Sequence, residues 1–549
     1  MLQRLIPLAL LAIATPVTAQ GVDPAAITKT VQEISSDAFH GRAPGGPGEA
    51  VTIDYLTKRF QALGLEPGGP DGKWTQTVPL LHTKLAQPQK FGVSVKGQWQ
   101  PWTRGEQGYV WSLQPNDKAV ITNAPLVFVG YGVTAPERDW DDFKGVDLRG
   151  KVAIILINDP DFEAVQGDAA FGKFGGRTMT YYGRWTYKFE EMARRGAIGA
   201  LIVHDTPGAG YGWNVVVSGQ GEAYDIVRPA DQITSLKLQG WLSGDAATSL
   251  FKGAGLDLAT LRTAARQSSF KPVVLKGATF SAAVPVTHEV VESHNVLAKI
   301  PGTTAPGETV MFGAHWDAYG VGPADAQGKT IRPGANDDGL GIAALLDIAR
   351  ILNAEPAPRR TIAFALWTAE ERGLLGSEYY ATHPVYPLET TAANLTIDIL
   401  QTAGRAKDVI LVGVGQDSLQ DDMARIAATQ GRRVTPEGLP ERGLFYRADH
   451  FSLAKRGVPV LLQMGIAGAS DLEVGGVAAG QAWIDAYTGK CYHQTCDAWS
   501  PDWNLAGAKQ DIDVMLQLGR EVANSKAWPS WKPTSEFKAI RDKSAASRP

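Results

Sequence analysis

Five short stretches of this chain set acids or imidazoles beside apolar runs of strand length. They are GAHWDAYG (313–320), GANDDGLG (334–341), WTAEERGLLGS (367–377), LTIDIL (395–400) and CYHQTCD (491–497). Imidazole nitrogen plus carboxylate oxygen is the ligand chemistry of a borderline cation such as Zn²⁺. Two such ions about 3.5–4 Å apart would hold a water between them and polarise a carbonyl. His315 and Asp317 stand two apart, so on an extended strand they face the same way. Glu370 and Glu371 are adjacent, and at a strand-to-loop transition they can address different targets. Asp398 is an acid inside an apolar strand, where an unpaired carboxylate is costly and a bound cation would resolve the cost. Singly, each stretch has a plainer reading. HxD alone fits a polar turn, and the Glu pair beside Arg372 fits an exposed acidic surface.

These residues need elements to position them. From 294 onward apolar strand-like and helix-like segments alternate: 309–315, 341–352, 361–367, 395–400, 408–414, 418–430, 458–464 and a late helix near 505–522. Such alternation predicts an α/β fold with a mostly parallel or mixed sheet, which would gather ligands outside the carboxyl ends of its strands. Helix-like spacing also marks 22–36 and 49–65. Short strands are expected from 91 to 112. A separate block, 116–282, carries strand-like 126–133, 151–157 and 198–204 around a helix near 187–195.

Composition narrows the class. The chain has 549 residues, 53 Lys+Arg against 57 Asp+Glu, and a formal net charge of -4. At roughly 150 residues per domain this is two to four domains. The balance argues against nucleic acid as a partner, which would call for a basic stripe. Residues 1–19 read as a signal peptide: Arg4, an apolar run over 5–13, and small residues Val17, Thr18 and Ala19 before Gln20. No later stretch approaches 18 uninterrupted apolar residues, so an exported protein, periplasmic or secreted, with no membrane span in the mature chain is expected. Two Cys five apart in an exported chain suggest a local disulfide, Cys491 to Cys496; a Cys/His metal site and free thiols are the alternatives. HEVVESH (288–294) has the wrong spacing for H-E-x-x-H, and no G-x-S-x-G elbow is present.

The order H-x-D, Asp in a Gly-rich loop, Glu-Glu, Asp, late His resembles the M28 metallopeptidase family, the co-catalytic two-zinc aminopeptidases. The resemblance spans about 293–503, and the stretch 127–152 resembles a protease-associated (PA) domain. It implies a three-layer α/β/α mixed sheet of zinc-exopeptidase type with an inserted strand-rich PA-like domain. The organisation would then be 20–115 as the N-terminal part of the peptidase domain, 116–282 as the insert, 283–525 as the zinc core and 526–549 as a polar, partly loose tail. His315, Asp337, Glu371, Asp398 and His493 would hold two Zn²⁺ per chain, Asp337 bridging them, with Asp338 as the alternative bridge. Asp317 would hold the His315 ring through its far nitrogen. Glu370 would be general base, and Tyr492, or Tyr446, would donate to the oxyanion. Asp449-His450 resembles a family stretch that lines the site. Thr396 and Ile399 depart from the family's Asn and Met beside its Asp.

The implied activity is aminopeptidase hydrolysis of peptides with a free N-terminus. A carboxypeptidase, for which Arg332, Arg442 and Arg447 are candidate carboxylate ligands, or a glutaminyl-cyclase-like enzyme would use the same fold. A binding protein that kept the fold and lost the chemistry is the non-enzymatic alternative.

Overall fold

The computed structural model describes residues 21–219 and 221–548; the expected signal peptide lies outside them. Its spine is one long strand, Val273–Ile300, shared by two bodies. The C-terminal part of that strand lies antiparallel to Arg360–Trp367, which is followed in parallel by Ala305–His315, Thr391–Ile397 and Val460–Gln463. Arg360–Trp367 and Thr391–Ile397 are buried at every residue, as central parallel strands covered on both faces must be.

Helices cover both faces. Phe312, Ala314 and Leu395 pack under the helices Pro24–Ile34, Glu49–Ala62, Gly339–Asn353 and Ala506–Asn524. Met311, Ala365 and Trp367 face Tyr380 and Leu453 from the helices Leu375–Thr382 and His450–Ala454. The result is the mixed α/β sheet expected from the alternation, in three layers. Among the described residues no helix is long and apolar enough to cross a membrane.

The other part of the spine strand carries the second body. Lys118–Phe128 and Lys90–Val95 pair with it antiparallel, and Val152–Leu156, Gly199–Val203 and Leu238–Leu242 run parallel beyond. Two assignments by sequence position shift here. Lys90–Val95, Gln98–Pro101 and Gly108–Trp111 lie within the expected N-terminal peptidase portion, yet they pair in the second body. Glu222–Ile226 lies within the expected insert, yet it pairs with Thr75–Leu85 on the peptidase side. Strand pairing follows hydrogen-bond register, not chain order, and no local pattern announces such a crossing. The terminal segment is also packed, not loose. Trp531 and Phe537 are 3% and 2% exposed, and burying two aromatic rings outweighs the polarity between them.

Candidate metal centre

The strand Ala305–His315 delivers His315 at its carboxyl end, beside Trp367 in the register. His315 Nε2 lies 3.1 Å from Asp337 Oδ1 and 3.8 Å from Asp398 Oδ1. His493 Nε2 lies 3.2 Å from Asp337 Oδ2 and 3.3 Å from Glu371 Oε2. Two groups, His315–Asp337–Asp398 and Asp337–Glu371–His493, thus each bring their ligand atoms within 4.8 Å, and Asp337 belongs to both. All five side chains singled out as ligands converge at one place.

Asp338 is occupied elsewhere. Its carboxylate accepts the Gly341 amide at 2.9 Å, capping the helix Gly339–Asn353, and the His315 amide at 3.2 Å. The loop before it needs Gly334, whose φ is +55; a Cβ there would stand 2.3 Å from the Asp337 carbonyl oxygen, a conformation and an approach open only to glycine. Left-handed backbone also recurs at non-glycine residues beside the ligands: Ala369 (φ 54) before the Glu pair, Ile399 (φ 57) after Asp398, and His493 itself (φ 63). Such strain persists where surrounding structure over-determines it, and it concentrates at functional sites.

Asp317 does more than expected and partly otherwise. Its carboxylate lies 3.6 Å from His315 Nδ1, too long for a hydrogen bond, while its own carbonyl oxygen is nearer at 3.1 Å. The carboxylate accepts the backbone amides of Glu370 at 3.0 Å and Glu371 at 3.4 Å, so it fixes the turn that aims both glutamates. Tyr492 packs on His493 with ring centroids 3.6 Å apart. Tyr446 is a correction. Its hydroxyl donates to Glu536 at 2.9 Å within an aromatic cluster with Trp531 and Phe537, so Glu536, from the packed tail, takes the hydroxyl. Cys491 and Cys496 are bonded to each other, closing the loop that presents Tyr492 and His493.

Three supporting residues have no role assigned from sequence, although Asp497 and Tyr319 lie within two of the quoted stretches. Asp497 accepts the amides of Asn336 at 3.0 Å and Asp337 at 3.1 Å, locking the bridging loop to the late His loop. Arg42 is fully buried and donates to the carbonyls of Ile34, Trp316, Pro333 and Gly334. Tyr319 places its ring 4.3 Å from His493, and the Arg372 guanidinium lies over the Tyr319 ring at 5.5 Å.

The donor set fits a cation on electrostatic grounds. Asp317, Asp337, Asp338, Asp398 and Asp449 are all buried here, facing the imidazoles of His315 and His493 and the Arg42 guanidinium. Burial pushes Glu370 and Glu371 well above the usual carboxylate range, and neighbouring carboxylates add to it. Burial also pushes Asp398 up, and Asp449 up to about 8. Burial works against Asp337 ionising too, but His315 and His493 more than reverse this and hold it low. Asp398 Oδ1 and His493 Nε2 are buried with no hydrogen-bond partner among the described residues. A surplus of buried negative charge with unpaired ligand atoms is what divalent cations relieve.

With the geometry in place, likeness to known proteins follows. A model of Peptidase family M28 matches residues 295–517. The matched segment contains all five candidate ligands. The chain is 26% identical over 314 residues to a probable leucine aminopeptidase 2 from Aspergillus fumigatus, 55% of this chain and 48% of that one. It is 31% identical over 148 residues to a probable lipoprotein aminopeptidase from Mycobacterium tuberculosis, 27% of this chain and 26% of that one. The match thus spans about half, or less, of the length of these curated relatives. An aminopeptidase structure from Aneurinibacillus sp. strain AM-1 superposes with a TM-score of 0.49 at 18% identity, over 93% of this chain and 96% of that one.

Proposed function

We propose that this protein is an exported zinc aminopeptidase. The observation that carries the reading is the pair of ligand groups sharing Asp337. His315, Asp337 and Asp398 would hold one Zn²⁺, and Asp337, Glu371 and His493 the other. Zinc bound there would supply Lewis acidity, polarising the scissile carbonyl and making water acidic enough to deprotonate near neutral pH.

The chain's own residues do the rest. Glu370 takes the proton of the attacking water and hands it to the leaving amine. Asp317 orients that carboxylate by holding the Glu370 amide. Tyr492, packed on His493, donates to the oxygen that gains charge. The acidic surround favours a substrate's free ammonium, which supports an exopeptidase acting at the N-terminus. The second body would play a PA-like role, restricting access or gathering substrate. The Cys491–Cys496 bond and the N-terminal apolar run support export. Leucine amides and their N-acetylated counterparts test the reading. Free amines should be hydrolysed and blocked ones spared; equal rates would overturn the aminopeptidase assignment.

A further inference from the structure

Arg184 is a buried charge that the fold leaves incomplete. It sits at the N-cap of the helix Trp185–Arg194 in the second body and is 7% exposed. Its Nε is buried and has no hydrogen-bond partner among the described residues. Its electrostatic neighbours are Arg447, Tyr211 and Tyr446, and among the described residues it forms no ion pair with a carboxylate. Two other fully buried arginines are completed by the fold. Arg42 is spent on four carbonyls, and Arg360 donates to Glu308 and to the carbonyls of Val522 and Ala527; the half-buried Arg104, whose Nε and one terminal nitrogen also lack partners, lies over the Tyr109 ring.

Packing holds Arg184 in place. A Cβ on Gly443 would lie 3.3 Å from Arg184 Cδ, and the Met179 amide donates to the Pro440 carbonyl at 3.1 Å. The arginine is therefore pressed against the segment that leads, a few residues on, to the exposed Arg447. Burial lowers the Arg184 guanidinium to about 10, and Arg447 adds to this. Tyr211 faces both arginines. Arg447 stands two residues before the buried Asp449, and Tyr492 feels Arg447 as well as Asp337, Glu371 and Glu370, so Arg447 is near the metal-ligand cluster.

Two guanidiniums set together, one of them desolvated and without a counter-ion, are unfavourable until an anion joins them. The planar fork of arginine matches a carboxylate in particular. We propose that Arg184 and Arg447, with Tyr211, form a subsite at the seam between the two bodies that accepts a carboxylate of the peptide substrate. This rests on the aminopeptidase reading above and adds a substrate class to it. The carboxylate comes either from the C-terminus of a short peptide or from an acidic side chain.

Four peptides separate the sources on the zinc-loaded full chain: Leu-Ala against Leu-Ala-amide, and Leu-Asp-amide against Leu-Asn-amide. The anionic member of at least one pair should be favoured in kcat/KM by about tenfold or more, chiefly through KM, as expected for a charge-assisted hydrogen bond. The first pair reports a terminal carboxylate, the second an acidic side chain. Arg184→Gln and Arg447→Gln should each bring that ratio towards one, and Arg184→Lys should restore part of it. Arg447 is exposed, so Arg447→Gln keeps the test open if Arg184→Gln does not fold. Ratios near one in the unaltered protein, or ratios unmoved in the folded variants, would overturn the subsite while leaving the aminopeptidase reading intact. Failure to hydrolyse all four peptides would overturn that reading and the subsite with it.

Discussion

The peptidase half and the second body each bury a knot of charge, and the two are finished differently. In the second body, Asp161 accepts the amides of Gly172, Phe174 and Gly176, and Asp159 accepts both the amide and the hydroxyl of Thr180. Lys188, wholly buried, donates to the carbonyls of Tyr131 and Asn158. These donors and acceptors belong to the fold itself, and the knot organises the loop over 158–184. In the peptidase half, Asp398 and His493 keep unpaired buried atoms and carboxylates outnumber cations. Buried charge completed by backbone is architecture; buried charge left incomplete awaits a ligand.

The contrast breaks if both knots respond alike to substitution. The largest effect is expected at Glu370. Glu370→Gln should cost roughly 10²–10⁴-fold in kcat while metal content and melting temperature hold; unchanged turnover in steady-state assays would remove Glu370 as the base. Asp161→Ala should do the opposite. It strands three backbone amides, so denaturant unfolding should show a loss of about 3 kcal/mol or more, with turnover per folded molecule preserved.

Acid stability sharpens the same contrast on the structural side. Burial pushes the Glu378 carboxyl up, but Lys455, Arg456 and Arg228 more than reverse this, to about 2 from the usual 4.5. A depressed folded-state value contributes stability that is present above about 4.5 and is lost as pH falls towards about 2. That contribution is of the order of 3 kcal/mol. Glu378→Gln should flatten this limb of the unfolding curve; an identical acid limb would contradict it. The smallest effect is expected from replacing both cysteines with serine. A loop this short should cost about 2 kcal/mol or less in stability, and zinc titration should show weakened affinity at His493.

The sequence made the candidate ligands and the proposed base legible and left most of their supports hidden. His315, Asp337, Glu370, Glu371, Asp398 and His493 carry residue types and an order that few other functions require. The strands bearing them are apolar enough to find by eye. Asp497 lies in a quoted stretch but its partners, the amides of Asn336 and Asp337, are far along the chain, and Arg42 and Arg184 have no such signal. Arg42 meets Gly334 only when the fold closes. Tyr446 misled because its position beside Asp449-His450 says nothing of Glu536, ninety residues on. The spine strand is half legible: 288–294 reads as either strand or linker, because 287–289 at its middle are polar and exposed.

The most direct measurement is metal stoichiometry of the chelated and zinc-reconstituted protein, taken alongside His315→Ala and Glu371→Gln. Two zinc ions per chain, falling to about one in each variant, is the expected result. A single ion, or a content indifferent to both substitutions, would contradict a centre built on the shared Asp337.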